Sequence, residues 1–260
     1  MFINKYYTYK KGNIPLILLS LHDGKNKIHN CKPRKNKFNL NEFVIQNDQY
    51  TNPITKEIYK FFLQNNLRPY LLVNKIKRSY ADLNRNFLQG CNTSCELCFN
   101  YHFQFHGKLN TIVSEIIGKF NKCLIIDVHG NIHTYNMVQF GYGVSKSKIL
   151  SNNLKSMSFK SVQNKDDIGD YFYGEKSLSK YFHNKNFDIF PTYKSIDKNF
   201  LKSIKYYSGS KFIIKKFSDL CDVVLLEISK NLRKKKNIKN ISEQIAESLV
   251  NYYLEIYVNL

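Results

Sequence analysis

Five short apolar runs constrain the fold of this chain most. Ile14–Ser20, Tyr70–Ile76, Leu124–Val128, Lys211–Ile214 and Val223–Ile228 are β-rich and too short for core helices, so they read as buried strands. Helical patterns separate them. Thr51-Asn52-Pro53 opens a helix with proline near its first position, and Ile54, Ile58, Phe61 and Phe62 follow at helical spacing. A second helix is expected over Glu96–Phe120. From Ser242 onward, Ile245, Leu249, Tyr252, Tyr253 and Ile256 share one face. Strands alternating with helices predict an α/β three-layer sandwich, a mixed central sheet flanked by helices. The stretch 152–199 is polar, aromatic-rich and weakly periodic, which suggests long loops with short helices. Without an internal repeat or a linker, residues 1–260 are expected to form a single domain.

Composition narrows the function. A chain that is 43% hydrophobic and 15% aromatic buries a real core, and 11 Gly with 5 Pro exclude collagen-like classes. Forty Lys and Arg against 20 Asp and Glu give a formal charge of +20. The basic residues are spread along the whole length, with only Lys234–Lys236 beside Arg233 forming a tight run. In a chain crowded with Lys, Asn, Ile and Tyr this reads as compositional drift, and nucleic acid is not the expected partner. The run Ile14–Ser20 is too short to span a bilayer, and no small-residue cleavage site follows it. A cytoplasmic location, no membrane partner and six reduced cysteines are therefore expected. Cys91, Cys95 and Cys98, with His102 and His106 beyond, suggest zinc at first sight. Their spacing lacks the paired regularity of a zinc motif, and Cys95, Cys98 and His102 on one helix face read as core.

In α/β sheets, sites form at the carboxyl ends of strands. The residues after the apolar runs are His22-Asp23-Gly24, Lys77-Arg78-Ser79, the segment Ala81–Asn86, Asp127-Val128-His129-Gly130 and Glu227. Two histidines, two arginines and a glutamate at one rim suit a mononuclear zinc hydrolase. Two imidazoles and a carboxylate hold zinc and leave a position for water, whose pKa falls to about 7. A glutamate takes the proton, one arginine meets the oxyanion, and a second clamps a substrate carboxylate.

The segments DLNRNF at 82–87 and IIDVHGN at 125–131 resemble those of the zinc carboxypeptidases, which place an Asn-Arg pair at the substrate carboxylate. Their early ligand motif is His-x-x-Glu, and Lys25 stands here where the Glu would be. The N-formylglutamate amidohydrolase family, which shares that general fold, looks closer. Its elements are matched in order by LHDG at 21–24, DQYT at 48–51, NKIKRS at 74–79, DLNR at 82–85, DVHG at 127–130, a Gly-Tyr at 141–142, YYSG at 206–209 and LLEISKNLR at 225–233. The match covers about residues 14–257. Three positions depart from the family: Asp23 replaces a small residue, Asn131 stands where some members have another His, and Ser210 replaces a second Gly.

The resemblance implies a zinc carboxypeptidase-like fold and a zinc-dependent amidohydrolase acting on a small N-acyl, in particular N-formyl, amino acid. His22, Asp48 and His129 would hold the zinc, with Asp48 supplied by the family pattern. Glu227 would be the base and Arg78 the carbonyl polariser. Arg85 and Asn84, with Tyr207, Ser208 and Gly209, would bind substrate. Asp127 and Asp82 would support the ligands from behind, and His133 would line the pocket wall. Two rivals stand beside this reading: a carboxypeptidase-like peptide hydrolase, and a basic binding protein that kept the fold and lost catalysis. Pocket closure by 152–199 would mark a small-molecule enzyme.

Overall fold

A computed structural model describes residues 5–36, 43–209 and 212–260. Four of the five apolar runs form strands of one sheet: β2 (Leu16–Ser20), β3 (Tyr70–Asn74), β4 (Leu124–Gly130) and β7 (Asp222–Ile228). These four are parallel, in the order β3-β2-β4-β7. Three further strands were not expected. β1 (Tyr7–Lys10) pairs antiparallel with β3 at one edge. β5 (Met137–Gly141) runs antiparallel to β7, and β6 (Asp188–Phe190) adds to it in parallel. The sheet is therefore mixed and seven-stranded. β1, reading YTYK, has no apolar run to announce it, and β6 is only three residues long.

The expected strand at Lys211–Ile214 is corrected to a helix. Phe212–Phe217 is helical, while Lys211 and the Ser210 position lie outside the described residues. Ile213, Ile214 and Phe217 are its buried side, at helical spacing, and Asn84 Oδ1 accepts the Ile213 N–H at 3.2 Å. β7 already occupies the place beside β4, so no sheet edge is open there.

The helices fall on the two faces. α1 (Thr51–Gln64) has Pro53 in its first turn, where the missing N–H costs nothing. It packs with α9 (Ile238–Glu255) over Leu16, Leu18, Val73, Ile126, Val128, Val224 and Leu226. The opposite face is covered by α3 (Glu96–Phe120) and α8 (Phe212–Phe217). Tyr101, Phe105, Leu109, Ile112 and Ile116 of α3 meet Ile17, Leu19, Leu72, Ile125 and Val223 there. Alternate strand residues thus feed two separate cores, the arrangement of a three-layer sandwich. Short helices complete the chain: α2 (Phe87–Gly90), α4 (Lys146–Leu150), α5 (Ile168–Phe172), α6 (Leu178–Phe182) and α7 (Lys198–Ser203). The stretch 152–199 is loops and short helices as read, apart from β6.

The cysteines depart from expectation. Cys31 and Cys95 form a disulfide, so the six are not all reduced. Cys91, Cys98, Cys123 and Cys221 are free and buried. Cys91, Cys95 and Cys98 are buried in the core between the sheet and α3, as the helix-face reading had it.

Candidate metal and catalytic site

β2 and β4 are neighbours, but the chain leaves β2 for β3 on its other side. Such a switch point opens a crevice at the carboxyl ends of the strands. His22 follows β2 and His129 ends β4, so the two histidines face each other across that crevice, ring centroids 4.6 Å apart. Asp48 comes from the turn that opens α1. Its backbone N–H donates to the His22 carbonyl at 3.1 Å, and its own carbonyl accepts from Thr51. This fixes its carboxylate over the end of β4, where Gly130 N–H donates to Oδ2 at 3.2 Å.

His22 Nδ1 lies 3.3 Å from Asp48 Oδ2, and His129 Nδ1 lies 3.2 Å from the same atom. Each ring's far nitrogen faces another carboxylate. His22 Nε2 is 2.8 Å from Asp82 Oδ1. His129 Nε2 is 3.0 Å from Asp127 Oδ2, near enough for an ion pair but out of line for a hydrogen bond. His22, Asp48 and His129 are the metal-type cluster of the described residues, with one ligand atom from each within 4.8 Å of the others.

The residues fit a zinc ion. Two imidazole nitrogens and a carboxylate oxygen are a usual donor set, and bonds of about 2.0–2.1 Å put neighbouring tetrahedral ligands about 3.3 Å apart. The observed 3.2 and 3.3 Å separations match that spacing. The Asp82 carboxylate hydrogen-bonded behind His22 orients its ring, as in carboxylate–histidine–zinc sites, and the Asp127 carboxylate stands behind His129.

The electrostatics follow from burial and pairing. Burial alone would push the Asp48 carboxyl up, but His22, His129 and Arg78 together hold it well below the usual range. Asp82 is likewise held down against burial, by Arg78, His22 and Arg34. Burial disfavours the His129 imidazolium, yet Asp127 and Asp48 raise its pKa well above normal. Glu227 lies beside His129 in the β4–β7 register and is 5% exposed. Burial, aided by the Asp48 charge and opposed by His129, pushes its carboxyl up to about 8.

The remaining expected residues are placed as follows. Arg78 donates from Nε to Asp82 and from Nη1 to Asp48, both at 3.1 Å, which ties the two carboxylates together. Arg85 follows Asn84 on the loop beyond Asp82, and its backbone carbonyl is 3.0 Å from His102 Nε2. Tyr207 hydroxyl is 3.1 Å from His133 Nε2. The turn at Tyr207–Gly209 crosses the end of β5 at Gly141, where a Cβ would come within 2.5 Å of the Tyr207 carbonyl. Gly209 has φ +76°, in the left-handed region that favours glycine. Arg233 does not pair with Glu227; its guanidinium donates to the backbone carbonyls of Ile228, Gln49 and Asn131. Asp23 faces away from the histidines and accepts from Asn52 N–H, at the start of α1, and from Lys25.

Three buried residues escaped the sequence reading. Arg34 donates to the carbonyls of Arg78, Gln89 and Val44 and sits 3.6 Å from Asp82. Gln139, opposite Glu227 in the β5–β7 register, accepts from Tyr207 N–H. Asn74 donates to the Leu21 carbonyl just before His22. Only Asn74 carried a signal, as the first residue of the NKIKRS segment.

No protein-family model matches the chain, and no curated protein matches it. Solved structures do. An N-formylglutamate amidohydrolase from Ralstonia eutropha JMP134 superposes over 98% of this chain and 99% of its own, at TM-score 0.56 and 10% identity. A gene product of Agrobacterium tumefaciens superposes over 99% of this chain and 97% of its own, at TM-score 0.58 and 11% identity. The chain therefore has the α/β fold of an N-formylglutamate amidohydrolase structure, as the sequence resemblance implied. No helix of the described residues is long and apolar enough to cross a membrane.

Proposed function

We propose that the chain is a zinc-dependent amidohydrolase that cleaves the amide of a small N-acyl, in particular N-formyl, amino acid. The observation that carries this reading is the His22–Asp48–His129 triad, with one ligand atom from each within 4.8 Å of the others, backed by Asp82 and Asp127. Zinc, when bound, supplies a Lewis acid that polarises the amide carbonyl and acidifies water. Glu227 takes the proton of the attacking water on its carboxylate and passes it to the leaving nitrogen. Arg78, with Nε and Nη1 engaged, offers Nη2 to the carbonyl oxygen as charge develops there. Arg85 and the Asn84 side-chain amide hold the substrate carboxylate, and the Tyr207–Gly209 turn lines the other side. We also read the chain as one domain, acting in the cytoplasm on a small molecule rather than on nucleic acid.

A peptide substrate is the second reading, and one observation favours it. Among the described residues, 152–199 adds β6 to the sheet edge and hydrogen-bonds through Tyr181, Lys185 and Asn186 to α9. Its hydrogen bonds do not reach the triad. Metal analysis of the purified protein, followed by hydrolysis assays on N-formyl and N-acetyl amino acids and on N-acyl dipeptides, decides. One zinc per chain with turnover of N-acyl amino acids supports the first reading. Faster turnover of dipeptides supports the second, and absence of both metal and turnover refutes the two together.

A further inference from the structure

The hydrolysis steps proposed above leave Arg34 without a part, although it is 5% exposed and lies against the site. It follows shortly after Cys31, whose disulfide to Cys95 anchors the segment beside the start of α3. Its backbone N–H donates to the Ser79 carbonyl at 2.8 Å. Each guanidinium nitrogen then meets a backbone carbonyl. Nε donates to Arg78 at 3.1 Å, Nη1 to Gln89 at 3.0 Å and Nη2 to Val44 at 2.6 Å. Its Cζ lies 4.9 Å from the centre of the Phe43 ring. Three separate segments are thus gathered on one side chain: the loop after β3, α2, and the stretch that leads to Asp48. Arginine has the planar, five-donor fork for this, whereas a lysine ammonium is a single point charge.

Nη2 also lies 3.6 Å from Asp82 Oδ2. The Asp82 carboxylate is engaged on both oxygens. Oδ1 faces His22 Nε2 at 2.8 Å and accepts the Asn84 N–H at 3.1 Å, while Oδ2 accepts from Arg78 Nε at 3.1 Å. A proton on His22 Nε2, shared with Asp82, leaves the Nδ1 lone pair directed toward Asp48 Oδ2, 3.3 Å away. The chain of contacts therefore runs from Arg34 through Asp82 to the ring of a proposed ligand.

We propose that Arg34 is a positioning residue of the metal site, which fixes Asp82 and through it the His22 ring for a zinc ion. This rests on the zinc reading given above. Loss of Arg34 removes donors from three carbonyls, which lowers stability, and removes a cation from beside Asp82, which loosens the ring. The two effects are read separately, stability by urea unfolding and ring placement by zinc affinity.

The test is chelator competition for zinc on folded protein, with circular dichroism confirming the fold before and after metal removal. Arg34→Met keeps the reach of the side chain and removes its charge and donors. It is expected to bind zinc roughly 10-fold more weakly, the low end of the range for losing a partner of a ligand histidine. Added to Asp82→Asn, it should weaken zinc no further, because the route from Arg34 to the ion is already cut. A role confined to holding the backbone would lower the urea midpoint and leave the affinity of the folded protein unchanged. The proposal is overturned by wild-type affinity in folded Arg34→Met, or by losses that multiply in the double variant. Wild-type protein that binds no zinc refutes the hydrolase reading and this one with it, whereas zinc held equally by wild type and variant sinks this one alone. If Arg34→Met does not fold, Arg34→Lys, which keeps the charge and loses the fork, is judged by the same criteria. If neither folds, the Arg34 Nε–H of the wild type decides. Its exchange with solvent should slow when zinc is added, since coupling is reciprocal, and unchanged exchange overturns the proposal.

Discussion

The Nδ1 atoms of His22 and His129 meet at one oxygen, Asp48 Oδ2, from 3.3 and 3.2 Å. The two residues reach that point from different strands, and each turns its other nitrogen to its own aspartate. Symmetry of this kind makes the supporting aspartates as testable as the ligands.

His129→Ala should abolish stoichiometric zinc while the protein stays folded, because the residue sits at the end of a strand rather than within a core. Asp127→Ala and Asp82→Ala should weaken zinc by about 10–100-fold, the usual cost of losing a partner behind a ligand histidine. Competition against a chelator measures both. Zinc retained in His129→Ala would remove that residue from the ligand set.

Glu227→Gln keeps the shape of the side chain and removes the base. Zinc content should be unchanged and kcat should fall by roughly 10²–10⁴, the range for acid–base catalysis. Wild-type turnover in the variant would return Glu227 to a structural role.

The same residue sets a pH dependence in metal-free protein. Its folded pKa of about 8 lies above its ordinary value of 4.5. The neutral form is therefore the one the fold favours. Its contribution is complete below about pH 4.5 and is lost as pH rises through about 8. Urea unfolding at several pH values should show wild-type stability falling over that window relative to Glu227→Gln. His129 interacts with Glu227, so the difference reports the Glu227 carboxyl together with that interaction.

The two arginines should separate kinetically. Arg85→Lys loses the bidentate fork, so KM should rise more than kcat falls. Arg78→Lys loses the bridge between Asp48 and Asp82 as well as the donor to the carbonyl oxygen. Its kcat should fall with KM little changed, and its zinc should be held less tightly. An unchanged KM in Arg85→Lys would move the carboxylate clamp elsewhere.

Nucleic-acid binding, if the +20 charge is drift, should be weak and vanish at moderate salt. Filter binding across a salt series checks this. Salt-resistant nanomolar binding to a defined sequence would overturn the small-molecule reading.

The positions of His22, His129 and Glu227 were legible because each follows a continuous apolar run, and a buried parallel strand leaves its first polar residues at the rim. The place of Asp48 between the histidines was legible only through resemblance: nothing in QNDQYT sets it apart from an ordinary turn residue. Arg34 was not legible at all, since one arginine among the lysines of CKPRKNK looks like every other surface cation. Met137–Gly141 failed for a different reason. Gln139 interrupts its apolar pattern, and that glutamine is buried because it serves the Tyr207 turn. Lys211–Ile214 was misread because a short apolar run has the same composition in either conformation.

Asp23, Asp48, Asp82, Asp127 and Glu227 are all buried, out of only 20 acidic residues in the chain. Arg34, Arg78 and Arg233 are drawn in with them. With Glu227 held neutral and His129 charged, these buried groups nearly cancel, and the outer shell keeps the cationic excess of the whole sequence. Such a shell gathers anions from bulk water ahead of any specific contact. A carboxylate-bearing solute would then be steered toward this protein over a Debye length, in an encounter whose rate declines as salt rises.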